Sequence, residues 1–113
     1  MNLLTPDQLN LETFLPCLNT KFRVGSEPPH VVELELVAAN ALSDASHATT
    51  QAGRAQPSFT LVFHGPENRY LPQQIHTFEH DRIGRFELFI VPIGRQPGII
   101  QYQAIFNRLP VKR

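Results

Sequence analysis

Ten prolines, at positions 6, 16, 28, 29, 57, 66, 72, 92, 97 and 110, cut this chain into short pieces. Proline has no amide hydrogen and its ring clashes with the preceding turn, so each one interrupts a helical ladder. The pieces between them carry alternating apolar and polar side chains, and short strands between turn signals are the pattern of an all-β domain. The plainest case is residues 85–107, where two runs rich in β-branched and aromatic residues flank Gly94-Arg95-Gln96-Pro97-Gly98. That is the pattern of a β-hairpin. With Ile93 opposite Ile99, the pairing sets Phe86 against Phe106, Leu88 against Ala104 and Ile90 against Tyr102. These share one face because strand side chains alternate with a period of two. The other face, with Glu87, Phe89, Val91, Gln101, Gln103 and Ile105, is mixed.

The remaining strands follow from the same alternation. Residues 21–24 form a short first strand. In residues 31–42, Val32, Leu34 and Leu36 fall on one face and Glu33 and Glu35 on the other. Residues 58–64 turn Phe59, Leu61 and Phe63 inward, until Gly65-Pro66-Glu67-Asn68 breaks the strand. Residues 75–80 precede a tight connection, Asp81-Arg82-Ile83-Gly84, with Gly84 where a left-handed residue or bulge belongs. Plain pairing across it would turn Ile75 and Thr77 inward. A bulge at Gly84 turns Phe78 inward instead, and the larger apolar group favours that choice. Helical signals occur only in residues 1–18: Thr5-Pro6 as a cap with proline behind it, then Asn10 as a second cap for a turn that Pro16 stops. Leu9, Phe14 and Leu18 would then lie on the sheet or plug one end of a barrel. Residues 43–56, rich in Ser, Ala, Thr and Gln without apolar periodicity, read as a mobile surface loop.

At 113 residues the chain is expected to form one domain, residues 1–113. Ten basic and ten acidic side chains cancel. This argues against charge-driven binding of nucleic acid or an anionic membrane, and it leaves little repulsion between copies. The single cysteine, Cys17, has no partner for an internal disulfide. No basic segment followed by an apolar run opens the chain, and no apolar stretch approaches the ~20 residues that cross a bilayer. The expectation is a soluble, cytoplasmic protein.

Chemistry-bearing patterns are sparse. Among the five histidines, His76 and His80 share a strand face, yet at strand rise they are ~13 Å apart. That spacing does not converge on a metal, so no metal and no cofactor is expected. For His80 the plain reading is an imidazole at a hairpin end, tied to a backbone carbonyl or to Asp81. Cys17 reads as a small buried apolar residue, since no activating partner stands near it in sequence. Ser58 with His64 or His80 and Asp81 lacks the turn that presents a nucleophile, and phosphate-cradling glycine patterns are absent. The Glu33–Glu35 pair reads as a solvated strand edge that discourages unwanted pairing. Arg82, Arg85 and Arg95 fall near the two hairpin turns, where a solvated surface is the plainer account than a basic rim. No catalytic residue is assigned. The surplus apolar residues Phe89, Val91, Ile93, Ile99 and Ile105 are the candidate interface, because a monomer seldom leaves such a patch in water. Tyr70, His76 and His80 are the weaker candidates for a ligand site at a barrel mouth.

From Leu11 to Asn107 the chain resembles a family of short bacterial proteins classed as a domain of unknown function. The likeness rests on Glu12, Phe14 and Pro16, on Phe22-Arg23-Val24, on Phe63 with Gly65-Pro66, and on His80 with Gly84 running into Phe86-Glu87-Leu88-Phe89-Ile90-Val91-Pro92-Ile93-Gly94. Tyr102 and Phe106-Asn107 complete it. The resemblance implies a compact bacterial β domain, and similar sequences occur near tail-type phage or contractile-apparatus genes. It supplies no catalytic residues, and the loop of residues 43–56 is longer than in similar sequences.

The sequence therefore predicts an all-β domain of about six strands, a small barrel or two-layer sandwich with a short N-terminal helical segment. The expected role is a non-enzymatic protein-interaction or assembly module that binds a protein partner or itself. A small-ligand or sugar-binding barrel is the alternative.

Overall fold

The computed structural model of the chain describes Leu4 and residues 9–25, 31–41 and 58–106. The expected loop of residues 43–56, the cap at Thr5 and the basic residues at the chain's end lie outside these. Six strands form: β1 (Lys21–Val24), β2 (Val32–Ala41), β3 (Phe59–Pro66), β4 (Gln74–His80), β5 (Gly84–Gln96) and β6 (Ile99–Phe106). They close into an antiparallel barrel in the order β1-β2-β3-β6-β5-β4. Closure is made by β1 and β4, through the Arg23–Glu79 and Val24–Phe78 pairs. The architecture is thus a barrel and not a sandwich.

Alternation places the core as expected. Phe22, Leu34, Leu36, Phe59, Leu61, Phe63, Phe78, Phe86, Ile90 and Tyr102 are all fully buried. A small barrel of this kind is filled by side chains. Both long strands are bent by bulges, in β2 between Leu36 and Ala38 and in β5 between Pro92 and Gly94. A bulge kinks a strand and raises its twist, which lets a short sheet curl back on itself.

The hairpin register differs from expectation. The loop is not Gly94 to Gly98: β5 continues through Gly94, Arg95 and Gln96, and Gln96 pairs with Ile99 around a Pro97-Gly98 corner. Gly98 takes the positive φ, 80°, that such a corner needs. Ile93 is absorbed by the bulge, so Tyr102 faces Pro92 and not Ile90. The slip is an even number of residues, which is why the inward set survives. β3 also does not stop before Gly65 but runs through Pro66, which pairs with Ile99. Pro66 lies beyond the last β2–β3 pair, Glu35–His64, at a strand end where a missing donor costs little. Gly65 is buried because Leu34 and Tyr102 occupy the space a Cβ would need. The Glu33–Glu35 face is not an edge either: β2 is paired on both sides, and these carboxylates stand opposite Arg23 and Lys21.

Between β4 and β5, Asp81, Arg82 and Ile83 form a three-residue turn that pairs His80 with Gly84 and Phe78 with Phe86. Phe78 turns inward as expected, but through the odd loop length: the β4–β5 register runs from His80–Gly84 to Gln74–Ile90 without a shift, and Gly84 has φ 108°.

One end of the barrel is plugged. Asn10 caps the short helix α1 (Leu11–Phe14), accepting from the Thr13 amide, while Thr13 Oγ1 accepts from the Asn10 amide. A 3-10 turn, Leu15–Cys17, follows with Pro16 in its first positions. Phe14 thereby reaches four rings, Phe86 and Phe106 at 5.8 Å, Phe59 at 6.0 Å and Phe22 at 6.3 Å. Phe86 and Phe106 do not pair across the hairpin, as β5 and β6 are bonded only from Val91–Gln103 to Gln96–Ile99. Where the two strands part, Phe14 stands between their rings. Leu4 adds a bridge beside Phe86, its amide donating to the Arg85 carbonyl at 2.9 Å.

Truncating Phe14 to Ala should therefore cost ~3–5 kcal/mol of unfolding free energy in urea titration, the range for a fully buried aromatic. Gly65→Ala should cost ~1–3 kcal/mol in the same assay by overpacking against Leu34 and Tyr102.

Candidate functional site

The outside of the barrel is divided by charge. On the β1–β2 side, Lys21 stands opposite Glu35 and Arg23 opposite Glu33. Arg23 also reaches Asp81 at 2.9 Å and Glu79 at 3.8 Å, and Arg85 lies 3.9 Å from Glu79. Exposed pairs of this kind contribute little to stability. They do leave that wall strongly hydrated. Across the barrel, β3 and β6 contain no Asp, Glu, Lys or Arg at all. Their outward residues are Thr60, Val62 and His64, and Gln101, Gln103 and Ile105.

Alternation on these strands builds an apolar row. Phe89 on β5 stands directly opposite Ile75 on β4, and Ile105 on β6 stands opposite Thr60 on β3. Ile75 is 61% exposed, Ile105 57% and Phe89 48%. Val91, half-buried, pairs with Gln103 on the same wall. Phe89, Val91 and Ile105 are thus brought to one surface. Ile93 sits at the β5 bulge, and Ile99 begins β6 beside the turn, so both belong to the hairpin's far end. Ile75 is the member that sequence reasoning missed. Once Phe78 turns inward, parity turns Ile75 outward, so the signal was present in the strand itself.

The three ligand candidates are not gathered at one mouth. Tyr70 is 57% exposed in the segment before β4. Next to it, Leu71 is buried and donates its amide to the Tyr102 hydroxyl at 3.0 Å. Burial raises the Tyr102 hydroxyl above the ordinary tyrosine value, and the phenol serves as an internal acceptor. His76 donates Nε2–H to the Pro72 carbonyl at 2.8 Å, which folds the approach to β4.

His80 lies at the plugged end, 6% exposed, with its ring 4.3 Å from that of Phe22. It is tied neither to a carbonyl nor to Asp81. Nδ1 accepts from the Arg82 amide at 3.0 Å, which leaves the proton on Nε2 to be donated to Thr20 Oγ1 at 2.8 Å. The Thr20 hydroxyl in turn donates to the Cys17 carbonyl. Burial, against a smaller opposing pull from Asp81, holds the His80 pKa below its ordinary 6.5. The Cys17 thiol is 3.9 Å from Nδ1 and the same distance from the Thr13 carbonyl. Burial pushes that thiol above its ordinary range, and Nδ1 is already engaged, so the pair is no activated nucleophile. No local sequence pattern announces a contact between residues 63 positions apart.

Other expected groupings disperse. Arg82 and Arg85 lie at one end of β5 and Arg95 near the other, where it sits 3.7 Å from Glu67, so the three share no rim. Glu67 also accepts from the Gly98 amide at 2.8 Å, fastening the β5–β6 turn to the end of β3. Among the described residues, no three His, Cys, Asp or Glu side chains gather as metal ligands. No described helix is long and apolar enough to cross a membrane.

These features define a small, closed, six-stranded β-barrel with one plugged end and an uncharged outer wall. Residues 9–106 match the family described as Domain of unknown function (DUF6916), and the chain belongs to that family. No curated protein and no solved structure matches it significantly.

Replacing Tyr102 by Phe removes the acceptor for the buried Leu71 amide. The expected cost is ~1–3 kcal/mol in urea titration, the penalty for an unsatisfied buried donor.

Proposed function

We propose that this barrel is a non-enzymatic protein-interaction or assembly module that docks through the wall formed by β4, β5, β6 and β3. The observation that carries this reading is the row of Ile75, Phe89 and Ile105, about half exposed or more, on a wall of which the adjoining strands β3 and β6 carry no charge. Contiguous apolar surface of this kind marks interaction sites. On the β1 side Arg23 is spent on Asp81 and Glu79, and Arg85 on Glu79, so those charges have less to offer a partner. Balanced net charge leaves copies free to approach one another, which makes a second copy the first occupant to test. A bacterial and phage-tail-like setting, suggested by the family resemblance, and a cytoplasmic location, suggested by the single cysteine, belong to this proposal.

A small-ligand or sugar-binding barrel would draw on Tyr70, His76 and His80 acting together. Their separate settings, with His80 and His76 spent on internal hydrogen bonds, favour docking over that alternative.

Size-exclusion chromatography with light scattering tests the reading. The full chain should form a dimer or larger species whose mass falls to that of a monomer in the Phe89→Glu, Ile105→Glu double variant. Circular dichroism and melting should stay close to the parent, because both side chains are on the outside. A parent that remains monomeric at its highest soluble concentration, or a double variant that assembles equally well, would remove self-association from the proposal.

A further inference from the structure

We propose that His80 is an acid-sensitive latch: as a neutral imidazole it fastens the plug to the β4–β5 turn, and a second ring proton loosens that end of the barrel. The geometry carries the inference. The ring joins two distant stretches of chain: its own β4–β5 turn, through the Arg82 amide, and residues 17–20, through Thr20 just ahead of β1 and on to the Cys17 carbonyl at the end of the plug. Thr20 is also where the plug meets the barrel wall, since its carbonyl accepts from the Leu36 amide and Asn19 donates to the Leu36 carbonyl.

A second proton has one place to go, Nδ1. That nitrogen faces the Arg82 N–H at 3.0 Å, so protonation sets two donors against each other and strips the amide of its acceptor. The cation would also lie in a buried site against the Phe22 ring and the Cys17 thiol. The charged groups around it are few. Asp81 favours the cation, while Arg23 and Arg82 oppose it. Asp81 is bonded to Arg23 at 2.9 Å with its side chain 85% exposed, so water and guanidinium both blunt its pull. Glu79, the neighbour on β4, lies beside Arg23 and Arg85. Among the described residues of the plug, the titratable group in contact with the ring is the neutral thiol of Cys17.

The sign follows from linkage. The unfolded chain binds a proton at the ordinary histidine value, and the folded chain binds it only at lower pH. The stability that depends on neutral His80 is therefore complete above ~6.5 and declines as pH falls through the lowered folded value. Each unit of lowering biases the latch about tenfold.

Hydrogen exchange on the full chain, corrected for intrinsic rates, reads the effect at about pH 7.5 and about pH 5, either side of histidine titration. Protection of the Leu18, Thr20 and Arg82 amides should fall measurably more than that of Leu61, Phe63 and Ile100 in the wall. In His80→Gln, which cannot take the second proton, that difference between plug and wall should not change with pH. Should this variant fail to fold, imidazole nitrogen shifts of the parent decide the matter. They should show the Nε2–H form persisting below the ordinary titration range, then protonating in step with loss of plug protection. Loss of protection shared equally by plug and wall, a pH response retained by His80→Gln, or His80 titrating normally with the plug unmoved would each overturn the latch.

Discussion

The contact on which this barrel depends is Phe14 set among the rings of four strands. A closed sheet of short strands has an interior that must be filled and two ends that must be stopped. Here β5 and β6 part company beyond Val91–Gln103, so the wall itself does not finish the enclosure. Phe14 comes from a single helical turn and lies within ring contact of Phe22, Phe59, Phe86 and Phe106. Such aromatic pairs contribute ~0.5–1.5 kcal/mol each beyond the area they bury. The capping box at Asn10 holds that turn in shape, and the 3-10 turn that follows carries the chain on to β1. Without the plug, the largest rings of the core would meet water at that end.

Curvature and parity do the rest. The bulges after Leu36 and after Pro92 bend the two longest strands, while the three-residue turn at residues 81–83 sets which side chains of β4 face in. That one loop length buries Phe78 and so presents Ile75 beside Phe89. The docking wall and the core are therefore two consequences of the same register. Away from it, Lys21 and Arg23 stand opposite Glu35 and Glu33 across β1 and β2, and Arg23 is paired with Asp81 and Glu79.

His80 shows what a polar group must do to live in such a core. Both ring nitrogens are engaged, and the assignment of the proton follows from the Arg82 amide, which can only donate. A buried imidazole with a fixed tautomer holds distant pieces of backbone together while it is neutral, and it opposes them when charged. The same burial that keeps Cys17 a thiol keeps His80 an acceptor, so the pair serves structure and not nucleophilic chemistry.

Local sequence carried a good deal of this. Prolines excluded long helices, alternation named the inward set from Val32 to Phe106, Asn10 and Pro16 bounded the helical turn, and Gly84 marked its corner. Those are properties of a residue and its near neighbours: a period, a missing donor, a φ that only glycine takes easily. The hairpin partners were misread because Gly94 looks like a turn residue until β6 claims it, and a bulge has no signature apart from its partner strand. Closure of β1 on β4, the standing of Glu33 and Glu35 opposite bases, and the chain from Arg82 through His80 and Thr20 to Cys17 all join residues far apart in sequence. Only the folded ring brings them within hydrogen-bonding or pairing distance, so only tertiary structure decided which faces meet water and which histidine is buried.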